Sequence, residues 1–275
     1  MLLGCSPAMP SLVDRLLPEA LWQRIQPLLP APPPRPRGGV PRRVPDRNCV
    51  AALIFVTRTS TPWSLLPAKE LGCGSAPPAG GGWMRGPRRA CSSNSKPCCW
   101  MSSVRPAGST WSASVWTPSA CGRSKGDLTG ANPVDRGKAG SKLHLAGDAG
   151  GLPVAVVLSG ANANDSTMLE AVLDDIPAIR MPTGNRRRRP GKVHADKAYD
   201  HRRCRAYLRR RGIRPRIARR MIESSARLGR YRWTIERTGA WLGGWRRLRI
   251  RYERCSQRFY ALVLLACSVI CFHAL

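Results

Sequence analysis

The chain has 275 residues, with 46 Lys and Arg against 16 Asp and Glu, for a net charge of +30 and a pI near 11.3. That length holds one large domain or two small ones with a real core, and so large a positive surplus beside apolar runs points to a polyanionic partner, nucleic acid foremost. A basic RNA-binding protein of ribosomal type is the competing class. Eleven cysteines favour neither disulfides nor zinc. No secretory pattern opens the chain, so a reducing cytoplasm is expected. Cys91, Cys98 and Cys99 have no CxxC partner, and all four histidines (His144, His194, His201, His273) lie beyond them.

Residues 1–74 read as a helical head with a stiff basic linker. Leu12, Leu16, Leu17, Leu21, Ile25 and Leu28 fall near helical spacing, and Pro18-Glu19 suits the start of a second helix. A Pro- and Arg-rich connector runs from Pro30 to Pro45. Asp46 then suits the cap of a helix through Cys49, Ala52, Leu53 and Val56 that ends before Pro62. Helices joined by a basic linker suit a small DNA-binding head.

Residues 75–124 differ in kind. From position 76 to 124 there is no Leu, Ile, Asp, Glu, Gln, His, Phe or Tyr, yet there are four Trp, four Cys and ten Ser. No apolar period exists there, so neither helix nor strand is predicted. Natural linkers are poor in Trp and Cys and carry carboxylates, whereas this composition matches GC-rich coding DNA read out of frame. The genetic code tests the idea when the last base of each codon is joined to the first two of the next. Gly82-Trp83-Met84 then encodes an obligatory Asp, within a permitted amphipathic segment. Trp116-Thr117 is TGG-ACN, whose shifted codon GAC is aspartate whatever synonymous codons were used. Around it, Val115 to Ala120 permit Leu-Asp-Ser-Phe-Ser in the shifted register. The segment is therefore expected to be irregular and to deprive the following domain of its first strand, exposing a sheet edge and lowering solubility.

From residue 125 to 275 the order returns. Ser141 to Ala149 and Leu152 to Ser159 read as strands about a Gly150-Gly151 turn. Asp165-Ser166 suit the cap of a helix through Met168, Leu169, Val172 and Leu173, with Asp174-Asp175 as surface charge. A basic loop from Asn185 to Pro190 leads to a strand over Lys192 to Ala195, a basic helix from His201 to Arg211 and a strand near Ile213 to Ala218. A long helix around Arg227 to Leu248 follows. The apolar run Phe259 to Leu275 is short for a membrane span and reads as a buried terminal helix.

Several strings carry a family resemblance. TGANPVDRGKAGSKLHL (129–145), LSGANANDSTMLE (158–170), HADKAYDHRRCR (194–205), RRRGIRPRIARR (209–220) and RYRWTIERTGAWLGGWRRLRIRYER (230–254) resemble transposases of the insertion-sequence five family. PEALWQRIQPLLP and PWSLLPAKELGCGS resemble the same family's helical head.

That resemblance implies an α/β fold, a ribonuclease H-like mixed sheet flanked by helices, with two aspartates and a glutamate. Phosphoryl transfer on DNA uses two divalent metals, and hard carboxylate oxygens suit Mg2+. The implied partner is double-stranded DNA, both element ends and target, gripped by a homo-oligomer with no membrane involved. Asp196 takes the second-aspartate place and Glu236 the glutamate place, both catalytic and metal-holding. Arg232, one turn before Glu236, matches the signature arginine and is expected to meet phosphate or orient the carboxylate. Lys197, Arg237, Arg187 and Arg188 are the further DNA contacts expected. Gly229 and Gly243 stand where the signature has tyrosine and lysine, with Tyr231 an approximate substitute. The first aspartate is lost, because its codon is read across Trp116 and Thr117. The expectation is a transposase defective in this copy, or a basic DNA binder without catalysis.

Overall fold

The computed structural model describes residues 9–29, 44–73, 112–117, 121–122, 126–133, 135–181, 183–219 and 237–274. The chain divides into two compact units, Met1–Ala90 and Cys91–Leu275.

The first unit is helical. Helix α1 (Leu12–Leu16) is capped by Ser11, whose hydroxyl accepts from the Asp14 amide at 3.1 Å, which satisfies one of the free donors of a helix start. Helix α2 (Glu19–Ile25) starts after Pro18, and α3 spans Asp46–Thr59. Asp46 is the first helical residue of α3 and Pro45 the cap, so the acid complements the helix dipole. Leu17, Leu21, Ile54 and Leu71 are fully buried. Arg47 on α3 ties the helices together, reaching Asp14 and Glu19 at 2.9 Å each.

The second unit is a mixed sheet with helices. Strands β1 (Ser112–Trp116), β2 (Cys121–Gly122), β3 (Gly130–Ala131), β4 (Ala139–Gly147) and β5 (Pro153–Gly160) are followed by helix α4 (Leu169–Asp174). Then come the hairpin strands β6 (Ile179–Arg180) and β7 (Arg186–Arg187), strand β8 (Lys192–Ala195), helix α5 (Arg202–Arg210) and strand β9 (Arg214–Ile217). Helix α6 covers residues 237–243, α7 is Arg246–Arg249 and α8 is Ser256–Ala274. Across the main sheet the order is β5-β4-β1-β8-β9, with β4 antiparallel to its neighbours and β1, β8 and β9 parallel.

The first strand is present, contrary to the expectation from composition. Residues 112–116 lie in the middle of the sheet, and Ala113 and Val115 are fully buried against Val193, Leu169 and Leu208. A strand requires only alternation and a ladder on each side, and Ser112 to Val115 alternate polar and apolar side chains between β4 and β8. Cys121–Gly122, in the same segment, pair antiparallel with β4, and apart from these residues and Thr117 the segment expected to be irregular lies outside the described residues.

Other differences are local. The β4–β5 turn has Gly151 at φ +80°, a conformation glycine adopts without strain, and Asp148 accepts from the Leu152 amide at 2.8 Å. Asn164, rather than Asp165, caps the turn into α4 by accepting from the Ser166 amide at 3.0 Å. The arginine loop is a small hairpin, β6–β7. The long helix expected over 227–248 stops at residue 243, at Gly243-Gly244, and its part before 237 lies outside the described residues. Helix α8 is long and apolar enough by composition to cross a membrane. It packs along β5, where the Tyr260 hydroxyl donates to the Val156 carbonyl at 2.9 Å.

Candidate active site

Parallel pairing of β1 with β8 sets Ser112 to Val115 beside Lys192 to Ala195. Carried one residue further, that register puts position 116 beside Asp196 at the carboxyl ends of both strands. Asp196 is exposed and accepts from the Lys197 amide at 2.5 Å, capping the turn Lys197–Tyr199. Its carboxylate thus has both a structural task and an open side, with Lys197 half-buried next to it.

Thr117 follows Trp116, and its hydroxyl lies between two buried groups, 3.0 Å from Tyr199 Oη and 3.0 Å from His144 Nδ1. The other imidazole nitrogen, Nε2, is 2.7 Å from Ser159 Oγ, which donates to the Gly160 carbonyl at 3.1 Å. With the serine proton spent on that carbonyl, His144 must donate through Nε2 and accept through Nδ1. The hydroxyls therefore point one way, from Tyr199 to Thr117 to His144. Burial pushes the His144 pKa down to about 4, with Lys142 adding and Asp165 opposing, and pushes the Tyr199 hydroxyl up. Both side chains are neutral near pH 7. Lys142, two residues before His144 on β4, is paired with Asp165 at 3.0 Å and donates to the Ala163 carbonyl.

Replacing Thr117 by valine removes the middle of this chain and leaves the Tyr199 hydroxyl and His144 Nδ1 unmatched. A loss of about 1–3 kcal/mol is expected, read as a lower urea midpoint. An unchanged midpoint would show that the hydroxyl chain contributes nothing.

Acid acts on this unit in two opposite senses. The folded His144 value of about 4 lies below its ordinary 6.5, so its contribution to stability is whole above about 6.5 and drains as pH falls toward 4. Asp175, expected as surface charge, is half-buried. Burial raises its carboxyl from 3.8 to about 6, against the Val156 backbone hydrogen bond and Arg188. Its ionised form is therefore penalised above pH 6, and the penalty lifts as pH falls toward 3.8. The two slopes oppose each other between pH 6 and 4. Asp175→Asn should steepen the acid loss of thermal midpoint relative to the parent, and parallel curves would refute the assignment.

The remaining expected residues scatter. Arg232 and Glu236 lie outside the described residues. Next to them, Arg237 stacks over Trp241 at 4.8 Å, and burial raises the carboxyl of Asp148, with the Leu152 and Gly150 amides and then Arg237 opposing. Thr238 is fully buried and donates to the Gly151 carbonyl. Both therefore sit at the β4–β5 turn, which the β1–β4 register puts at the other end of the sheet from Asp196. Arg187 and Arg188 are exposed ahead of β8, also away from Asp196. The structure thus joins Asp196 with Lys197 but not with Arg237, Arg187 or Arg188. Among the described residues there is no group of three His, Cys, Asp or Glu side chains placed to hold a metal. Thr117, His144, Ser159 and Tyr199 were not foreseen. The signal available was His144 and Lys142 alternating with Leu143 and Leu145 on an otherwise apolar strand.

Comparison with known proteins places this geometry. Residues 116–271, more than half of the chain, match a family profile described as "Transposase DDE domain". Residues 17–76 match one described as "Putative transposase of IS4/5 family". Positions 77–115 fall between the two matches. The chain is 50% identical over 147 residues to a Burkholderia cepacia protein named "Putative transposase for insertion sequence element IS402", which covers 54% of this chain and 70% of that protein. It is 44% identical over 62 residues to "Insertion element IS402 uncharacterized 16.2 kDa protein" from the same organism, 22% of this chain and 41% of the relative.

Proposed function

Because the chain belongs to the DDE transposase family of insertion sequences, we propose that it descends from an enzyme that nicks element ends and joins them to target DNA, and that this copy is catalytically defective. The sheet order β5-β4-β1-β8-β9, antiparallel on one side of β1 and parallel on the other, supports a ribonuclease H-like catalytic domain. The helical first unit, with the Pro- and Arg-rich linker between α2 and α3, is the DNA-binding head. Asp196 and Glu236 are the acidic residues that the family strings retain; Glu236 lies outside the described residues, and its neighbour Arg237 stands by the β4–β5 turn.

The observation that carries the defect is the neighbour of Asp196. Position 116 stands beside it by register, and there the chain has Trp116 and Thr117, neither of which is a carboxylate. The family depends on divalent metal in general, and Mg2+ suits hard oxygen ligands. The described residues do not fit such a centre. Asp196 is the exposed carboxylate there, half-buried Asp165 is held by Lys142, the Thr117 hydroxyl is committed between Tyr199 and His144, and Lys197 brings positive charge. What the chain retains is the grip on double-stranded DNA: Lys197 near the strand ends, Arg237 by the β4–β5 turn, Arg187 and Arg188 ahead of β8, and Arg232, which lies outside the described residues. Binding as a homo-oligomer on DNA in the cytoplasm accompanies this reading.

Out-of-frame translation of 75–124 accounts for three facts together. These are the composition of that stretch, the gap between the two family matches, and the aspartate spelt in the shifted register across Trp116 and Thr117. Sequencing the gene across codons 70–130 tests it directly. An open register joining smoothly to both flanks is expected, and a shifted register interrupted by stop codons would refute it.

A further inference from the structure

The end of the sheet where β8 and β9 begin collects basic residues in pairs that repel. In the β6–β7 ladder Arg180 lies directly opposite Arg186. Lys192 lies opposite Arg214 at the start of β8 and β9, and His194 opposite Arg216 further along. Charges of one sign set opposite each other weaken a sheet. The two groups meet where Arg189 Nη1 donates to the Arg211 carbonyl at 3.3 Å, which also brings in the last turn of α5 with Arg209 and Arg210. Acid here is scarce: Asp174 is taken by Arg211 at 2.6 Å and the Tyr207 hydroxyl at 2.7 Å, and Asp175 is half-buried. Arg180, Arg186, Arg187, Arg209, Arg210 and Arg214 are all exposed.

We propose that this end of the sheet grips the phosphate backbone of duplex DNA, at a surface separate from the strand ends that carry Asp196, and that bound phosphates relieve the like-charge pairs. The choice of DNA as the polyanion rests on the transposase reading; the existence of the surface does not. A duplex fits better than single strands. Single-stranded nucleic acid is held by stacking bases on exposed aromatic rings, and Tyr207, the ring at this end among the described residues, is buried with Arg210 and Arg211 over it at 5.7 and 5.5 Å. Backbone contacts need charge and little geometry, which exposed guanidinium groups supply. Strand β8 alone separates the grip from Asp196 by about 13 Å.

Charge reversal distinguishes a binding surface from a folding defect. Arg186→Glu with Arg214→Glu turns two repelling pairs into attracting ones, so the thermal midpoint without DNA should hold or rise. Affinity for a labelled mixed-sequence duplex should nevertheless fall about tenfold or more at low salt, and the log–log salt slope should become shallower by about two. Unchanged affinity and slope would overturn the proposal, as would tighter binding of a single-stranded RNA of equal length. Should the double variant fold poorly, arginine modification of the parent chain decides: duplex must protect Arg186 and Arg187, and equal labelling with and without DNA refutes the grip. Mixed-sequence DNA is used throughout, so failure of element-end recognition, which would count against the transposase reading, leaves this result standing.

Discussion

Supplied with Mg2+ and DNA bearing the element's ends, the purified chain should leave that DNA uncut, whereas protein translated from a gene restored to one register across residues 75–124 should nick it. Acidic groups that act as a set are strongly non-additive, so loss of one costs about as much as loss of all. Restoration should accordingly raise the nicking rate by roughly 10³-fold or more. The structure narrows the cause to a small place. Strand β1 is present at Ser112–Trp116, so on the proposed reading the chain lacks a charge and not a scaffold. Trp116→Asp and Thr117→Asp, made singly in the present chain, test how far the carboxylate alone suffices. Thr117→Asp also inserts a negative group between Tyr199 and His144, where the tyrosine hydroxyl is ready to donate to it. In the restored protein Asp196→Asn should return nicking to background. Magnesium-dependent nicking by the unaltered chain would refute the defect, and a restored protein insensitive to Asp196→Asn would refute the site.

Arg251→Met should be the most damaging single change to folding, by about 3–5 kcal/mol, because it leaves a set of buried acceptors without their donor. Arg251 is fully buried. It donates to the Glu253 carbonyl at 2.9 Å, Ser141 Oγ at 2.6 Å, and the Leu128 and Arg254 carbonyls at 3.4 and 3.2 Å, and it pairs with Asp127 at 3.2 Å. One guanidinium thus ties the segment before α8 to β4 and to the loop before β3. The Ser256 hydroxyl, foremost, and Arg251 hold the Asp127 carboxyl below its usual range. Asp127 therefore stabilises the fold above its ordinary 3.8, and that contribution is lost as pH falls through the lower folded value. In Arg251→Met the acid transition should move to higher pH as well as the midpoint falling. A loss of stability under about 0.5 kcal/mol, the ordinary range of a surface change, would show that water or neighbouring residues take over the acceptors.

Much of this was readable beforehand. Strand β8 was placed at its observed limits from Lys192 to Ala195, because alternation ending in Asp is a local property. The β4–β5 hairpin followed from Gly150-Gly151, and α5 from its basic helical period. Asp196 is expected as a site residue from the string around it, and the structure puts it, exposed, directly after β8. Residues 112–116 were not legible, because composition records what a segment lacks and not what neighbours impose. Two waiting ladders and a face for Ala113 and Val115 make a strand of a stretch with no apolar period.

By itself the sequence determined the family of this protein and its large positive surplus, since long strings and composition need no third dimension. Only tertiary structure decided that Thr117 joins Tyr199 to His144, that Arg237 faces the β4–β5 turn, and that Arg180 opposes Arg186. Each of these depends on which strands lie side by side, and strand order arises from packing between residues far apart in the chain.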